Sequence, residues 1–146
     1  MQIEIKIDEE CTETKIVVVT SKVTEEVNEI VKRLSSEQPQ MIAAFKDAQA
    51  TMLEPTQIYR VYASEGKVYV ETENSTFLLR LRLYEAEQRL AKYSFVRISN
   101  SDIVNLKKVK GFDLSFVGTI CVSLSNGTVT YVSRRYVAKI KQLLGL

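Results

Sequence analysis

Short runs of apolar and β-branched residues, separated by turn residues, fill the chain after residue 57 and predict β-strands. The predicted strands span residues 58–63, 67–72, 76–80, 95–98, 103–106, 119–124 and 128–132. Gly66 lies between the first two strands and can take positive φ values, and the Asn126-Gly127 pair suits a type I′ hairpin turn. The pattern therefore predicts a three-stranded meander, followed by shorter strands and a hairpin.

Helical spacing of apolar residues predicts three helices. Their apolar positions are Val23, Val27, Ile30, Val31 and Leu34 in the first, Leu83, Ala86 and Leu90 in the second, and Val137, Ile140 and Leu144 in the third. Ser21 or Thr24 can cap the first helix, and Ser133 can cap the last. Lys32 and Arg33 suit the last turn of the first helix, because cations stabilise the negative end of the helix dipole.

The first third of the chain differs in composition from the rest. Residues 1–53 contain six Lys/Arg and ten Asp/Glu, a net charge of −4. Residues 2–7 alternate in strand fashion, residues 15–20 are β-branched, and residues 41–45 and 51–53 are further candidate strands. This third is therefore predicted to be a small acidic α/β unit.

Pro55 marks a boundary near residue 54, so residues 54–146 are predicted to form a second, mainly β domain. The chain has 146 residues and 45% hydrophobic content, enough for the core of one domain or of one domain with a small appended subdomain. Strands predominate and helices accompany them. The predicted fold class is mainly β with helices, in the α+β category.

The chain lacks the signals of a membrane or secreted protein. Its longest aliphatic run, residues 16–19, is far below the ~20 residues that span a bilayer, and the N-terminus alternates rather than forming a signal peptide. Cys11 and Cys121 are the only cysteines, which argues against a disulfide framework or a cysteine zinc site. We expect a cytoplasmic protein with two free thiols.

The chain contains no histidine, which excludes Ser-His-Asp and Cys-His catalysis. None of its five glycines has the spacing of a phosphate-binding loop. We therefore expect no enzymatic activity, no metal or organic cofactor and no small-molecule substrate. A hydrolase that uses paired carboxylates is the weakest alternative, because pairs such as Glu71 and Glu73 suit solvated positions.

The basic residues are concentrated in the last third of the chain. Residues 94–146 contain eight Lys/Arg and two Asp/Glu, whereas residues 54–93 contain six of each. Such an asymmetry is typical of a polyanion-binding face. A solvated basic surface would explain the charge alone equally well.

Arg134 and Arg135 follow Ser133 and fall in the first turn of the last predicted helix. Cations there oppose the positive end of the helix dipole, at a typical cost of ~0.3 to 1 kcal/mol each. A phosphate would reverse this preference, since helix N-terminal N–H groups and guanidinium groups both bind phosphate. The pair therefore indicates an absent polyanion, with two tolerated surface arginines as the alternative.

Residues 99–102 form a predicted loop with two candidate ligand contacts. The Asn100 amide supplies one acceptor and two donors, which suit the edge of adenine, and Ser101 can donate to a phosphate oxygen. Asparagine is also an ordinary turn residue. Asn105 is interpreted as a buried structural amide, and Arg97 either binds phosphate or braces the loop.

Three lysines are further candidates for phosphate contacts. Lys67 lies beside the Gly66 turn, and Lys107 and Lys108 follow the strand predicted at residues 103–106. Solvated loops contain lysine without any special reason, and that alternative stays open. The aromatic residues mostly lie among apolar strand residues, so they suit a core better than a platform for stacking single-stranded nucleic acid.

These segments resemble a LytTR-type DNA-binding domain, the effector module of many bacterial response regulators. The matching motifs are Phe95-x-Arg97, Ser99-Asn100-Ser101, Val104-Asn105-Leu106, Asn126-Gly127 and Ser133-Arg134-Arg135-Tyr136. The resemblance implies an elongated antiparallel β domain that inserts loops, rather than a recognition helix, into successive major grooves of double-stranded DNA. It implies contacts from the Gly66-Lys67 turn, the Asn100 loop and the Arg134-Arg135 segment.

Within this resemblance, Asn100 and Arg135 are the preferred base contacts, and Arg134 is the close alternative. The remaining candidates would mainly position phosphates; they are Lys67, Arg97, Ser101, Lys107 and Lys108. The implied function is that of a bacterial transcriptional regulator. The alternative from another class is a protein-interaction module whose basic face binds an acidic partner.

No receiver domain is expected before the DNA-binding part, so we do not expect regulation by aspartyl phosphorylation. Stand-alone proteins resembling this one are often paired with a small membrane protein that restrains them, and an inhibitory membrane partner is implied on that ground alone. The amphipathic first helix favours homodimerisation or partner binding by residues 1–53.

Overall fold

The computed structural model describes residues 1–35 and 40–146. The chain divides into two compact units, residues 1–38 and residues 39–146. Among the described residues, no helix combines the length and the apolar character needed to cross a membrane.

The N-terminal unit contains helix α1, Glu25–Ser35, which confirms the first predicted helix. The Thr24 hydroxyl accepts a hydrogen bond from the Val27 backbone N–H at 3.4 Å, so Thr24 rather than Ser21 caps the helix. Acidic residues occupy its first turn and basic residues its last. Both placements stabilise the helix dipole.

The two strands predicted at residues 2–7 and 15–20 are wrong for the isolated chain. Both segments lack strand pairing in the structure, and Ile3, Ile5 and Ile7 are between 84% and 91% exposed. Alternation specifies which side chains share a face, but a strand forms only when a neighbour supplies backbone hydrogen bonds. Neither segment has such a neighbour in the described part of this unit.

The C-terminal unit contains two antiparallel sheets. The first has seven strands in the order β2-β1-β5-β4-β3-β7-β6. Its strands are β1 Ile42–Lys46, β2 Gln49–Leu53, β3 Arg60–Ser64, β4 Lys67–Glu71, β5 Thr76–Leu79, β6 Phe95–Ser99 and β7 Asp102–Asn105. The second sheet has three strands, β8 Val109–Asp113, β9 Ile120–Leu124 and β10 Val129–Val132. The predicted mainly β fold with helices is confirmed, although β8 was not predicted.

Strands β1 and β2 belong to this unit rather than to the N-terminal one. Phe45 of β1 pairs with Leu78 of β5, which attaches the β1-β2 hairpin to the sheet. Ile42 and Leu53 of the hairpin are buried in the same hydrophobic core as the helix that follows β5. The compact unit consequently starts near residue 39, before the boundary expected at residue 54.

Two helices complete the C-terminal unit, α2 Leu83–Leu90 and α3 Arg134–Leu143. Leu83, Ala86 and Leu90 of α2 pack into one core with β1 to β5. Ile140 of α3 packs into a second core with β6, β9 and β10. Adjacent residues of β7 enter different cores, Ile103 the first and Val104 the second. Because successive strand side chains point to opposite faces, the cores lie on the two sides of the seven-stranded sheet.

The type I′ geometry that the sequence predicts for Asn126-Gly127 occurs instead at the turn between β3 and β4. Glu65 and Gly66 both have positive φ, +52° and +77°, as a type I′ turn requires. Of the Asn126-Gly127 pair, only Gly127 has positive φ, so the predicted type I′ turn is wrong there. Leu124 N–H instead donates to the Thr128 carbonyl at 2.8 Å across a three-residue loop. That loop has glycine in the left-handed position of a bulge.

A fragment that begins at residue 54 should be much less stable than one that begins at residue 39. It would lose β1 and β2 and with them the buried side chains of Ile42 and Leu53. Full burial of each is worth about 1.5 to 3 kcal/mol, so we expect the free energy of unfolding to fall by about 3 to 6 kcal/mol. Urea unfolding of both fragments, followed by circular dichroism, measures this. Equal midpoints would show that the hairpin is not part of the core.

Candidate nucleic-acid interface

Two backbone hydrogen bonds bring three separate loops to one edge of the C-terminal unit. Ala63 N–H at the end of β3 donates to the Ser101 carbonyl at 2.8 Å. Ser133 N–H at the start of α3 donates to the Ile98 carbonyl of β6 at 2.9 Å. We call the resulting surface, formed by residues 64–67, 99–101 and 133–135, the loop edge.

The first loop is the tight turn between β3 and β4. Ser64 and Lys67 are paired across it, and the positive φ values of Glu65 and Gly66 let the chain reverse within two residues. Lys67 is exposed and forms no ion pair in the described part of the chain. Its ammonium group is therefore available to a ligand.

The second loop, between β6 and β7, is shorter than predicted, because Asp102 already belongs to β7 and is buried. A register shift between Arg97 and Ser99 leaves Asn100 and Ser101 at the tip of the turn. Both tip residues are exposed. The Ser101 N–H donates to the Ser99 hydroxyl at 3.2 Å, and the Asn100 side-chain amide points to no partner among the described residues.

Arg97 braces this loop. Its Nε donates to the Ser99 carbonyl at 2.8 Å, its Nη2 donates to the Asn100 carbonyl, and its Nη1 forms an ion pair with Glu87 Oε2 at 3.2 Å. These contacts occupy the guanidinium within the protein. Of the two roles considered for Arg97, bracing the loop is the one that the geometry favours.

The third loop leads into α3. Ser133 has extended backbone dihedrals at the N-cap position, but its side chain forms no capping hydrogen bond. Arg134 and Arg135 are exposed in the first turn, which contains no acidic residue. A Cβ placed on Gly118 would lie 3.4 Å from Arg134 Nε, so the Arg134 side chain lies against the glycine backbone. Gly118, which has φ +75°, was not among the sequence candidates.

Lys107 and Lys108 lie away from the loop edge. They follow β7 in a short 3-10 helix, Leu106–Lys108, whereas Ser101 precedes β7. The strand rises about 3.3 Å per residue, so its four residues separate the two groups by roughly 13 Å of backbone. The Lys108 ammonium lies 5.0 Å from the centre of the Tyr59 ring.

Asn105 is the structural amide that the sequence suggests. Its Nδ2 donates to the Ile58 carbonyl at 2.9 Å, and its Oδ1 accepts from the Lys107 N–H at 3.0 Å. The side chain is 2% exposed. Asn105 therefore fixes the far end of β7 and is not available to a ligand.

A half-buried polar network joins the two sheets behind the loop edge. We call it the inter-sheet clamp; its residues are Arg60, Glu71, Asp102, Asn126, Thr128 and Thr130. Arg60 Nε lies 3.1 Å from Glu71 Oε2, and Arg60 Nη1 lies 3.7 Å from Asp102 Oδ2. The Arg60 guanidinium also lies 4.0 Å from the Tyr62 ring centre, where the aromatic face stabilises the cation.

The three-stranded sheet supplies the other half of the clamp. Thr130 Oγ1 donates to Asp102 Oδ2 at 2.6 Å, and Asn126 Nδ2 donates to Glu71 Oε1 at 2.7 Å. Thr128 also donates to Glu71 Oε1. Since Asp102 adjoins the Asn100-Ser101 tip, these bonds fix the second loop relative to the three-stranded sheet. Sequence reasoning missed the clamp because it placed Asp102 in the loop.

The two acidic residues of segment 94–146, Asp102 and Asp113, have pKa values shifted in opposite directions. Burial raises the pKa of the Asp102 carboxyl above its ordinary value of 3.8, against the hydrogen bond from Thr130 and the charge of Arg60. Hydrogen bonds from the Ser115 hydroxyl and N–H lower the pKa of Asp113. Neither carboxylate forms an ion pair with Arg134 or Arg135 in the described residues, so neither of these two acidic residues neutralises the charge of the two arginines.

An edge of a β-rich unit that displays lysine and asparagine from two loops and arginine from the first turn of a helix is typical of nucleic-acid-binding proteins. Residues 48–145 match the family model of the LytTr DNA-binding domain. The chain belongs to that family and is a DNA-binding protein of transcription regulation, a class of proteins that are not enzymes.

Individual proteins support the same assignment. A LytTr DNA-binding domain from Bacillus cereus superposes with a TM-score of 0.70 and 27% identity, covering 75% of this chain and 100% of that domain. A protein of Staphylococcus aureus strain MSSA476 named as an HTH-type transcriptional regulator is 29% identical over 147 residues, covering 100% of this chain and 99% of the relative. Its counterpart in strain MRSA252 is 28% identical over the same length.

The name of these relatives refers to a helix-turn-helix, which this fold does not contain in its described part. Strands separate α1 from α2 and α2 from α3, whereas a helix-turn-helix joins two helices by a turn of three or four residues.

Replacing Asp102 by asparagine should make stability less dependent on pH. Because the pKa of Asp102 is higher in the folded protein than its ordinary 3.8, the folded state holds the proton more tightly. The contribution of Asp102 to the free energy of unfolding therefore decreases as the pH rises from about 4 through the folded pKa. We expect the stability of Asp102→Asn relative to wild type to rise with pH in this range, by at most about 1.4 kcal/mol per pH unit.

Urea unfolding of both proteins at pH 4, 5, 6 and 7 measures the difference. The control is Asp113→Asn, which removes a carboxylate whose pKa is lowered. Asp113 contributes stability that is present above pH 3.8 and lost only at lower pH, so the difference between Asp113→Asn and wild type should stay constant from pH 4 to 7. A difference between wild type and Asp102→Asn that does not change with pH would contradict the role assigned to the buried carboxyl.

Proposed function

We propose that the loop edge contacts the major groove of double-stranded DNA and recognises its sequence. The observation that carries this proposal is the pair of backbone hydrogen bonds, from Ala63 to Ser101 and from Ser133 to Ile98, that places three loops side by side. The three loops come from distant parts of the sequence. Together they present Lys67, Asn100, Ser101, Arg134 and Arg135 on one continuous edge.

Asn100 and Arg135 are the proposed base contacts. The Asn100 amide can donate to N7 and accept from N6 of adenine in a bidentate pair, once its N and O are suitably oriented. The Arg135 guanidinium can donate to both O6 and N7 of guanine. Both side chains are exposed, and Arg97 holds the Asn100 backbone in place. A braced loop loses less conformational entropy on binding than a free one.

Arg134, Lys67 and Ser101 are the proposed phosphate contacts. Arg134 lies against Gly118 at the start of α3, where the N–H groups of Arg134 and Arg135 precede the first hydrogen-bonded N–H, that of Tyr136. A phosphate at this position would accept from the guanidinium and from these N–H groups together. It would also remove the unfavourable interaction between two cations and the helix dipole.

Lys107 and Lys108 are assigned a lesser role than the sequence suggests, because they lie at the other end of β7. They can reach only the DNA backbone that flanks the segment covered by the loop edge. Arg97 is assigned to positioning the Asn100 loop.

We further propose that the protein acts in the cytoplasm as a homodimer, with the exposed apolar residues of the N-terminal unit as the contact between copies. Ile3, Ile5 and Ile7 are supported as contact residues by their exposure. An inhibitory membrane protein, the partner that the resemblance implies, would compete for the same surface.

Arg135→Ala should weaken binding to a specific site and relax discrimination between sequences. Loss of one bidentate contact is worth about 1 to 3 kcal/mol on the specific site, with a smaller loss on random duplex. Selection of bound fragments from a random duplex pool supplies the specific site, and fluorescence anisotropy measures both affinities. An equal loss on the two DNAs would contradict a base contact.

Two lysine variants serve as matched controls in the same titrations. Lys67→Ala should weaken specific and random duplex alike and lower the slope of log affinity against log salt by about one. Lys107→Ala removes the same charge from the far end of β7 and should change the slope less. Absence of any salt-dependent binding by the wild type would instead favour a basic face for an acidic protein partner.

Gly118→Ala should reduce DNA affinity, because it strains the backbone against which the Arg134 side chain lies. The added methyl group would meet Arg134 Nε at 3.4 Å, an ordinary contact distance, but the positive φ adds backbone strain of about 1 to 2 kcal/mol. Gly127→Ala has the same kind of strain, at φ +93°, but meets no atom within 4 Å. We expect similar losses of stability in the two variants but weaker DNA binding only in Gly118→Ala. Equal DNA affinities would show that Arg134 does not depend on this contact.

A further inference from the structure

Residues 2–7 of the N-terminal unit form an exposed apolar stripe without a partner strand in the described part of the chain. Ile3, Ile5 and Ile7 alternate with Glu4 and Lys6, and the three isoleucines are 86%, 84% and 91% exposed. Such an alternation specifies a strand with one apolar face. Although residues 2–7 form no strand in the structure, a segment with this pattern and unpaired backbone groups can pair with another chain.

This segment is complementary to itself. When two copies run antiparallel with Ile5 opposite Ile5, Glu4 of each copy lies opposite Lys6 of the other. Ile3 then lies opposite Ile7, and all isoleucines share one face. Directly opposed side chains of unlike charge stabilise a strand pair, and like charges destabilise it.

Other registers lack this complementarity. A shift by two residues in either direction places Glu4 opposite Glu4 or Lys6 opposite Lys6. A shift by one residue places Ile5 opposite Glu4 or Lys6, and the isoleucines of the two copies then point to opposite faces of the strand pair. Parallel pairing in register also opposes like charges. Of these arrangements, only the antiparallel register centred on Ile5 places isoleucines opposite each other on one face and unlike charges opposite each other on the other face.

We propose that a second copy of this chain is the partner, and that residues 2–7 of two copies pair as antiparallel strands about a two-fold axis at Ile5. The inference rests on the proposed self-association of the N-terminal unit and specifies its register. A two-fold interface is self-complementary by symmetry, which is the property that this segment has.

Neighbouring residues can extend the sheet. Cys11 N–H donates to the Asp8 carbonyl at 3.1 Å in a turn after the first segment. Beyond it, Ile16, Val17 and Val19 are between 68% and 92% exposed. If this β-branched run flanks residues 2–7 in each copy, the dimer has four strands. A sheet of three or more strands with an apolar face is stable where a lone hairpin is marginal.

Cysteine cross-linking tests the register in the full chain. Native thiols are first removed by Cys11→Ser and Cys121→Ser, since both cysteines are free. Directly opposed residues of antiparallel strands have Cα atoms about 4.5 to 5.5 Å apart, within the range of a disulfide. We therefore expect Ile5→Cys to give a covalent dimer under mild oxidation at least tenfold faster than Ile3→Cys, whose two copies would lie about 13 Å apart.

A mixture of the Ile3→Cys and Ile7→Cys proteins should cross-link as fast as Ile5→Cys, because those positions oppose each other. Equal rates for Ile5→Cys and Ile3→Cys, or no covalent dimer from either, would overturn the register. If the wild type sediments as a monomer at all concentrations, self-association itself is overturned, while the DNA-binding proposal is tested separately by its own titrations.

Charge reversal tests the same pairing by sedimentation equilibrium. With Lys6→Glu, the new carboxylate of each copy would lie opposite Glu4 of the other copy. The repulsion at these two places should raise the dissociation constant of the dimer at least tenfold. Adding Glu4→Lys to it restores unlike charges at both places and should restore dimerisation. Lys22→Glu is the matched control, since it changes the net charge equally at an exposed position outside the segment. Equal dissociation constants for Lys6→Glu and Lys22→Glu, or no recovery in the double variant, would overturn the proposal.

Discussion

The inter-sheet clamp is the interaction on which the DNA-binding unit depends, because it adds specific polar contacts between two sheets that already share the second hydrophobic core. Arg60 holds the carboxylates of Glu71 and Asp102 on the seven-stranded sheet, and residues of the other sheet donate to those carboxylates. Buried charges are expensive unless they are paired and hydrogen-bonded. An arrangement of the sheets that broke the clamp would take away the donors that Glu71 and Asp102 receive from the three-stranded sheet, so the clamp favours the observed arrangement.

That arrangement is what places the loop edge. Asp102 is the residue next to the Asn100-Ser101 tip, and Thr130 on the following sheet lies three residues before Ser133 and α3. The bond between these two side chains therefore connects the second loop to the third. Arg97 then braces the tip from the other side. Rigid backbone elements under polar, exposed side chains are the usual way in which proteins position contacts to DNA.

Much of the β architecture could be predicted from the sequence, and the failures have specific causes. Strand alternation, the Gly66 turn and the apolar faces of the helices are local signals, and the corresponding elements are present. Strand β8 was missed because Lys107 and Lys108 suggested a solvated loop, although a strand, Val109–Asp113, begins directly after them. The strands predicted at residues 2–7 and 15–20 are absent for the opposite reason. Both segments have the residue pattern of a strand, but neither pairs with a neighbouring strand in the described part of the chain.

By itself, the sequence determined the fold class, the absence of histidine chemistry, the concentration of basic charge in the last third and the motifs of the LytTr family. These depend on composition and short-range periodicity, which need no knowledge of contacts. Only the tertiary structure decided that β1 and β2 belong to the DNA-binding unit, that Arg97 is a brace and that Lys107 and Lys108 lie apart from Asn100. Those facts depend on strand order and on hydrogen bonds between residues far apart in the chain, which local patterns do not encode.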